Sequence, residues 1–144
     1  MNSNQPKKPA PSYAPVYAAM YPELASIARR HGYALACHGS LQRDFDLIAV
    51  PWGDGATPPE ALVREITKAF VVTVVGAPTP MPHGRKTWTL SVAFGECAFD
   101  LSFMPTGREV QTLRAILDDR LAEWQENYDG EPIPWWVTDY CIRS

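Results

Sequence analysis

The sequence predicts an α+β fold, a mixed β-sheet flanked by helices. Two observations carry most of this. Residues Lys86 to Phe94 and Cys97 to Met104 alternate large apolar with polar side chains, the two-residue period of half-buried strands. Three other stretches repeat apolar residues at helical spacing: Tyr17 to Ala28, Leu62 to Phe70 and Val110 to Trp124. A chain of 144 residues, 46% hydrophobic and 20% charged, suits one soluble domain with an ordinary core.

The elements follow in order. Met1 to Ser12 is rich in Pro, Asn, Ser and Lys and is expected to be a disordered tail, leaving residues 13–144 as the single domain. In the first helix Tyr17, Met20, Tyr21, Leu24, Ile27 and Ala28 share a face, and Pro22 either kinks it or opens its main part. Gly32 after Arg29-Arg30-His31 is a favourable helix end. Tyr33 to Cys37 and Asp44 to Val50 read as strands, the second central and covered on both sides. Thr57-Pro58-Pro59-Glu60 fits a capping box for a helix ending near Phe70. Val71 to Val75 is a β-branched strand, and Gly76 to Arg85 a Pro-rich loop.

The next two strands are expected to be joined by Gly95-Glu96 in a type II′ turn. Phe94 then opposes Cys97, Val92 faces Phe99, Leu90 faces Leu101, and Trp88 faces Phe103, all on one core face. Thr87, Thr89, Ser91, Asp100 and Ser102 occupy the other face, with Asp100 opposite Ser91. Thr106-Gly107-Arg108-Glu109 offers a second capping box before a long amphipathic helix, which Gly130, Pro132 and Pro134 end. The apolar stretch around Trp135-Trp136 reads as packing or an interface.

The candidate chemistry centres on His38-Gly39-Ser40-Leu41-Gln42-Arg43-Asp44-Phe45-Asp46. On a strand Asp44 and Asp46 leave the same side, about 7 Å apart. Neighbouring carboxylates repel unless a cation compensates, so the pair suggests a divalent metal site. Gly39 and Ser40 can offer backbone N–H groups and a hydroxyl to a phosphate. Arg85 and Lys86 can add cations for phosphates, although a solvated basic turn is the simpler reading. His38 reads as locally hydrogen-bonded, Arg43 as an ion-pairing neighbour of Asp44, and Trp52 as a core lid or a base-stacking ring.

The Gly-Ser step, the Asp-x-Asp on a strand and the third aspartate on a later strand resemble the nucleotidyltransferase-fold superfamily. The resemblance covers Tyr33 to Val50 and Phe99 to Phe103, with only Leu41-Gln42-Arg43 between Ser40 and Asp44, fewer residues than is usual there. It implies a small nucleotidyltransferase-like fold in which Gly39 and Ser40 contact nucleotide phosphates. Asp44, Asp46 and Asp100 then bind two Mg²⁺ ions and carry catalysis, moving a nucleotidyl group from a nucleoside triphosphate to an unknown acceptor. Two other functions fit the same residues: a catalytically silent domain that binds a protein partner, and a metal-dependent phosphohydrolase.

Other classes find little support. A net charge of −3 gives no global attraction to nucleic acid, and direct nucleic-acid binding is not indicated. The longest apolar run, Ala69 to Val75, is too short to span a bilayer, and the N-terminus shows no apolar signal region, so no membrane association is expected. Three cysteines cannot all pair within the chain. Cys37 and Cys97 are expected to be buried free thiols, which favours the cytoplasm, and no Cys/His spacing matches a zinc site.

Overall fold

Alternate strand residues meet on one face of a five-stranded sheet in the computed structural model of the protein, which describes residues 12–41, 43–92 and 97–127. The chain runs α1 (Ala14–Arg30), β1 (Tyr33–His38), β2 (Phe45–Pro51), α2 (Pro59–Ala69), β3 (Val72–Met81), β4 (Arg85–Val92), β5 (Ala98–Phe103) and α3 (Gly107–Asn127). A short 3-10 turn, Pro82–Gly84, joins β3 to β4. The strand order is β1-β2-β5-β4-β3. Only β2 and β5 pair in parallel, so the sheet is mixed and the α+β expectation is met.

The core lies on one side of this sheet. Phe45, Leu47 and Ala49 of β2 join Phe99, Leu101 and Phe103 of β5 and Trp88 and Leu90 of β4. Tyr17, Leu24, Ile27 and Ala28 of α1 and Leu62, Val63 and Ile66 of α2 close over them in the same cluster. Each fully buried large side chain contributes roughly 1.5–3 kcal/mol, which makes this layer the main stabilising term. Tyr17 stacks on Phe45 at 4.7 Å, and Trp88 meets Phe103 edge-on at 5.1 Å.

The opposite face is different. β2 is interior to the sheet, as expected, but among the described residues no helix packs buried apolar side chains on its second face, where Asp46 and Ile48 are half-buried. Among the described residues that face holds no buried apolar side chain, and Val50 stands 43% exposed. No residue of α3 is buried. The physical reason is composition: aspartate, threonine and serine occupy most of the positions there, and a helix over them would desolvate polar groups without apolar gain.

Helix ends follow local chemistry, with two departures. α1 begins with Pro15 in its first turn and continues through Pro22, which neither opens nor interrupts it. Gly32 then takes φ +87 and backs closely onto Ala56, so its lack of a side chain serves both turn and packing. At α2 the N-cap is Pro58, and the capping box centred on Thr57 does not form. The Thr57 hydroxyl is engaged instead by His31 Nδ1 at 2.7 Å, while His31 Nε2 donates to Glu65 at 2.6 Å. Arg30 also donates to Glu65 at 2.6 Å, completing a clamp between α1 and α2. The box before α3 does form: the Glu109 carboxylate accepts from the Thr106 backbone N–H at 2.7 Å, and the Thr106 hydroxyl accepts from the Glu109 N–H at 3.2 Å.

Three strand expectations are corrected. β4 and β5 pair two residues away from the expected register: Leu90 faces Phe99, Trp88 faces Leu101, and Asp100 faces Thr89 rather than Ser91. Val92 donates its N–H to the Cys97 carbonyl, which sets Cys97 opposite Val92 rather than Phe94. The turn at Gly95-Glu96 itself lies outside the described residues, as do residues 1–11 of the expected tail, the breaks after α3 and Trp135-Trp136. β3 extends through Met81 where a loop was expected; it is an edge strand, where Pro78 and Pro80 need not donate to a ladder. Cys97 is buried as expected, but Cys37 is exposed, because β1 is the other edge of the sheet.

Two stability outcomes follow. The hydrogen bond from Arg30, and next that from His31, hold the Glu65 carboxyl below its ordinary 4.5, so their contribution is complete above that pH and is lost as pH falls through the lower folded value. Glu65→Gln should therefore lower Tm at neutral pH, and its gap from the parent protein should close below about pH 4.5 in circular-dichroism melts. Pro22 lies in a helix interior, which costs up to about 3 kcal/mol. Pro22→Ala should raise the denaturant midpoint in urea unfolding; an unchanged or lower midpoint would contradict this.

Candidate functional site

A row of side chains crosses four strands on the open face. His38 of β1 is paired with Asp46 of β2, Asp46 with Asp100 of β5, and Asp100 with Thr89 of β4. Paired positions on neighbouring strands lie about 4.8 Å apart and share a face. The two aspartates are therefore adjacent because Phe45 and Leu47 must face Phe99 and Leu101 on the core side. One parity buries the apolar residues and raises both carboxylates on the other face.

The β1–β2 connection shapes one end of this row. Gly39 has φ +85, and a β-carbon added there would overlap the Asp46 carboxylate. Glycine thus serves a left-handed backbone and leaves room for an acid group pressed against it. Leu41 also has positive φ, +57, unusual for a bulky residue, and is held there by packing against the core. The Tyr17 hydroxyl donates to the Arg43 carbonyl at 2.7 Å and ties the connection to α1. Burial, with a smaller contribution from neighbouring Cys97, pushes the Tyr17 phenol up to about 12.

The expected site residues divide into those the fold gathers and those it separates. Asp46 and Asp100 are adjacent, with Gly39 against Asp46. Asp44 is exposed one residue before β2 and has no ladder partner, so the Asp44–Asp46 pair is not one strand row. Ser40 is exposed in the same connection. Arg85 has the same strand parity as Thr89 but lies four residues away, about 13 Å along β4. Its Nε is buried and has no hydrogen-bond partner among the described residues. Lys86 pairs with Phe103 and so belongs to the core-side parity, away from the aspartates. Trp52, 69% exposed, follows the end of β2 remote from Asp46.

Two residues gain importance that sequence reasoning withheld. His38 stands beside Asp46, and the alternation of Tyr33 and Leu35 with Ala34 and Ala36 was the available signal. Thr89 donates its hydroxyl to Asp100 Oδ1 at 2.6 Å, a bond concealed by the two-residue register difference. One row further, Thr87 and Ser102 share a hydrogen bond at 2.8 Å.

The donor set of Asp46 and Asp100 consists of hard oxygens suited to Mg²⁺ or Mn²⁺. Among the described residues, no three His, Cys, Asp or Glu side chains form a group that could hold a metal ion. What the fold provides is two aspartates at paired positions of neighbouring parallel strands, Asp46 and Asp100. No protein-family model matches the chain, and no curated protein matches it in sequence.

Gly39→Ala should destabilise the fold by roughly 1–3 kcal/mol through its backbone conformation and its overlap with Asp46. In the Asp46→Ala background the same change should cost less, because the overlap is gone. Urea unfolding of the double-mutant cycle checks this, and equal costs in both backgrounds would remove the proposed contact.

Proposed function

We propose that the protein is a nucleotidyltransferase-like, divalent-metal-dependent enzyme that transfers a nucleotidyl group from a nucleoside triphosphate to an acceptor hydroxyl. The observation that carries this reading is the placement of Asp46 and Asp100 side by side on parallel strands of an open sheet face. The resemblance of the Gly39-Ser40, Asp44, Asp46 and Asp100 pattern to the nucleotidyltransferase-fold superfamily supplies the reaction class.

Each residue has a role in this reading. Asp46 and Asp100 hold the ion, which supplies charge neutralisation of the phosphates when bound. Gly39 lets the chain pass close to the Asp46 carboxylate. Ser40 and the exposed backbone beside it face incoming phosphate oxygens, and Asp44 lies at the entrance, where it adds negative charge that favours a cation.

A second reading is favoured by a separate observation. α3 leaves Val110, Leu113 and Ile116 exposed, 48%, 36% and 52% respectively, along an apolar stripe. This supports a catalytically silent domain of the same fold that binds a protein partner.

Titration calorimetry with Mn²⁺, with and without a non-hydrolysable nucleoside triphosphate, separates the two. The enzyme reading expects binding that Asp46→Asn and Asp100→Asn each weaken on the order of tenfold or more, with Asp44→Asn weakening it less. Absence of Mn²⁺ binding in the parent protein, or affinity unchanged in both variants, would leave the silent domain as the better account.

A further inference from the structure

We propose that Thr89 is a positioning residue for Asp100, fixing the carboxylate so that one oxygen is left for the ion shared with Asp46. This deepens the proposed function and rests on it. An ionised carboxylate only accepts hydrogen bonds, so the Thr89 hydroxyl is the donor in its 2.6 Å contact with Asp100 Oδ1. Thr89 stands on β4, on one side of Asp100, and Asp46 stands on β2, on the other. With Oδ1 held by Thr89, Oδ2 is the carboxylate oxygen that the proposed ion would use.

Geometry gives this contact its leverage. Aspartate turns about two side-chain torsions, and on an open face its carboxylate can rotate away into water. A short hydrogen bond to a β-branched neighbour restricts that freedom, because threonine on a strand is itself stiff about its first torsion. Metal ligands are commonly oriented by such outer partners, whose removal costs about 10–100-fold in metal affinity. The same sheet provides an internal control. Thr87 and Ser102 form an equivalent pair one row away, with Ser102 5% exposed, but neither is an acid. The Thr87–Ser102 pair therefore supports the sheet alone, whereas the Thr89–Asp100 pair also orients a ligand.

The test measures Mn²⁺ affinity by electron paramagnetic resonance and fold stability by urea unfolding on the same proteins. Thr89→Val, which keeps shape and removes the donor, should weaken Mn²⁺ binding by about 10–100-fold. Thr89→Ser, which keeps the donor, should restore most of that affinity. Thr87→Val should leave Mn²⁺ affinity within about twofold of the parent, whatever it does to stability. If Asp46→Asn abolishes Mn²⁺ binding while Thr89→Val leaves it unchanged, the positioning role is overturned and the metal reading stands. If Thr87→Val weakens binding as much as Thr89→Val, the effect is general to the sheet and the specific role is likewise overturned. If the parent protein does not bind Mn²⁺, or Asp46→Asn does not alter binding, the metal reading fails and the proposal fails with it.

Discussion

The parallel pairing of β2 with β5 is the constraint on which the rest of the structure depends. Phe45, Leu47 and Ala49 lie in register with Phe99, Leu101 and Phe103. These residues form the centre of the core that α1 and α2 cover. Because side chains alternate, the same register leaves Asp46 beside Asp100 on the far face. A slip of β5 by one residue would turn Asp100 into the core and expose Phe99, Leu101 and Phe103, a loss of several large apolar burials at once. The candidate site is therefore tied to core stability: the carboxylates stay adjacent for as long as the aromatic rows stay buried.

That dependence explains which parts were legible in the sequence. Faces could be read from alternation, and Asp100 was correctly placed opposite the core side of its strand. Register could not, because a shift of two residues preserves every face while changing every partner. The observed difference is such a shift, and it replaced Ser91 with Thr89 as the neighbour of Asp100. Cap signals were ambiguous for another reason. The Thr106 hydroxyl bonds with its local partner Glu109 and forms its box, whereas Thr57 has a competing partner, His31, that lies 26 residues away in the chain. Long-range partners of this kind are invisible to a local pattern.

The open face and the tight connection are consequences of how polar and apolar residues are shared out. Both helices that bury apolar residues are drawn to the side carrying phenylalanine and leucine. α3, joined after β5, has a properly capped start but no buried residue to anchor it. Among the described residues, the sheet face bearing the aspartates therefore has no helix packed over it through buried apolar side chains, and Asp46 and Asp100 are half-buried. Tyr17 links the two sides: its ring packs on Phe45 in the core, and its hydroxyl holds the Arg43 carbonyl just before Asp44. Core packing thus reaches the connection that leads into the acidic strand.

The shortness of the connection between Gly39 and Asp46 bears directly on what this face can bind. A longer segment would have space for a helical turn whose N–H groups gather phosphate oxygens. Here the chain must reverse between His38 and Asp46, which are already paired, and it does so with left-handed residues at Gly39 and Leu41. The reversal leaves Asp44 outside the ladder and presses Gly39 against Asp46. The acidic centre therefore shifts from the neighbours in sequence, Asp44 and Asp46, to the neighbours in space, Asp46 and Asp100. The proposed ion site therefore depends less on this compression than the proposed phosphate contact does, because the carboxylates are set by the core register and the loop is set by the reversal.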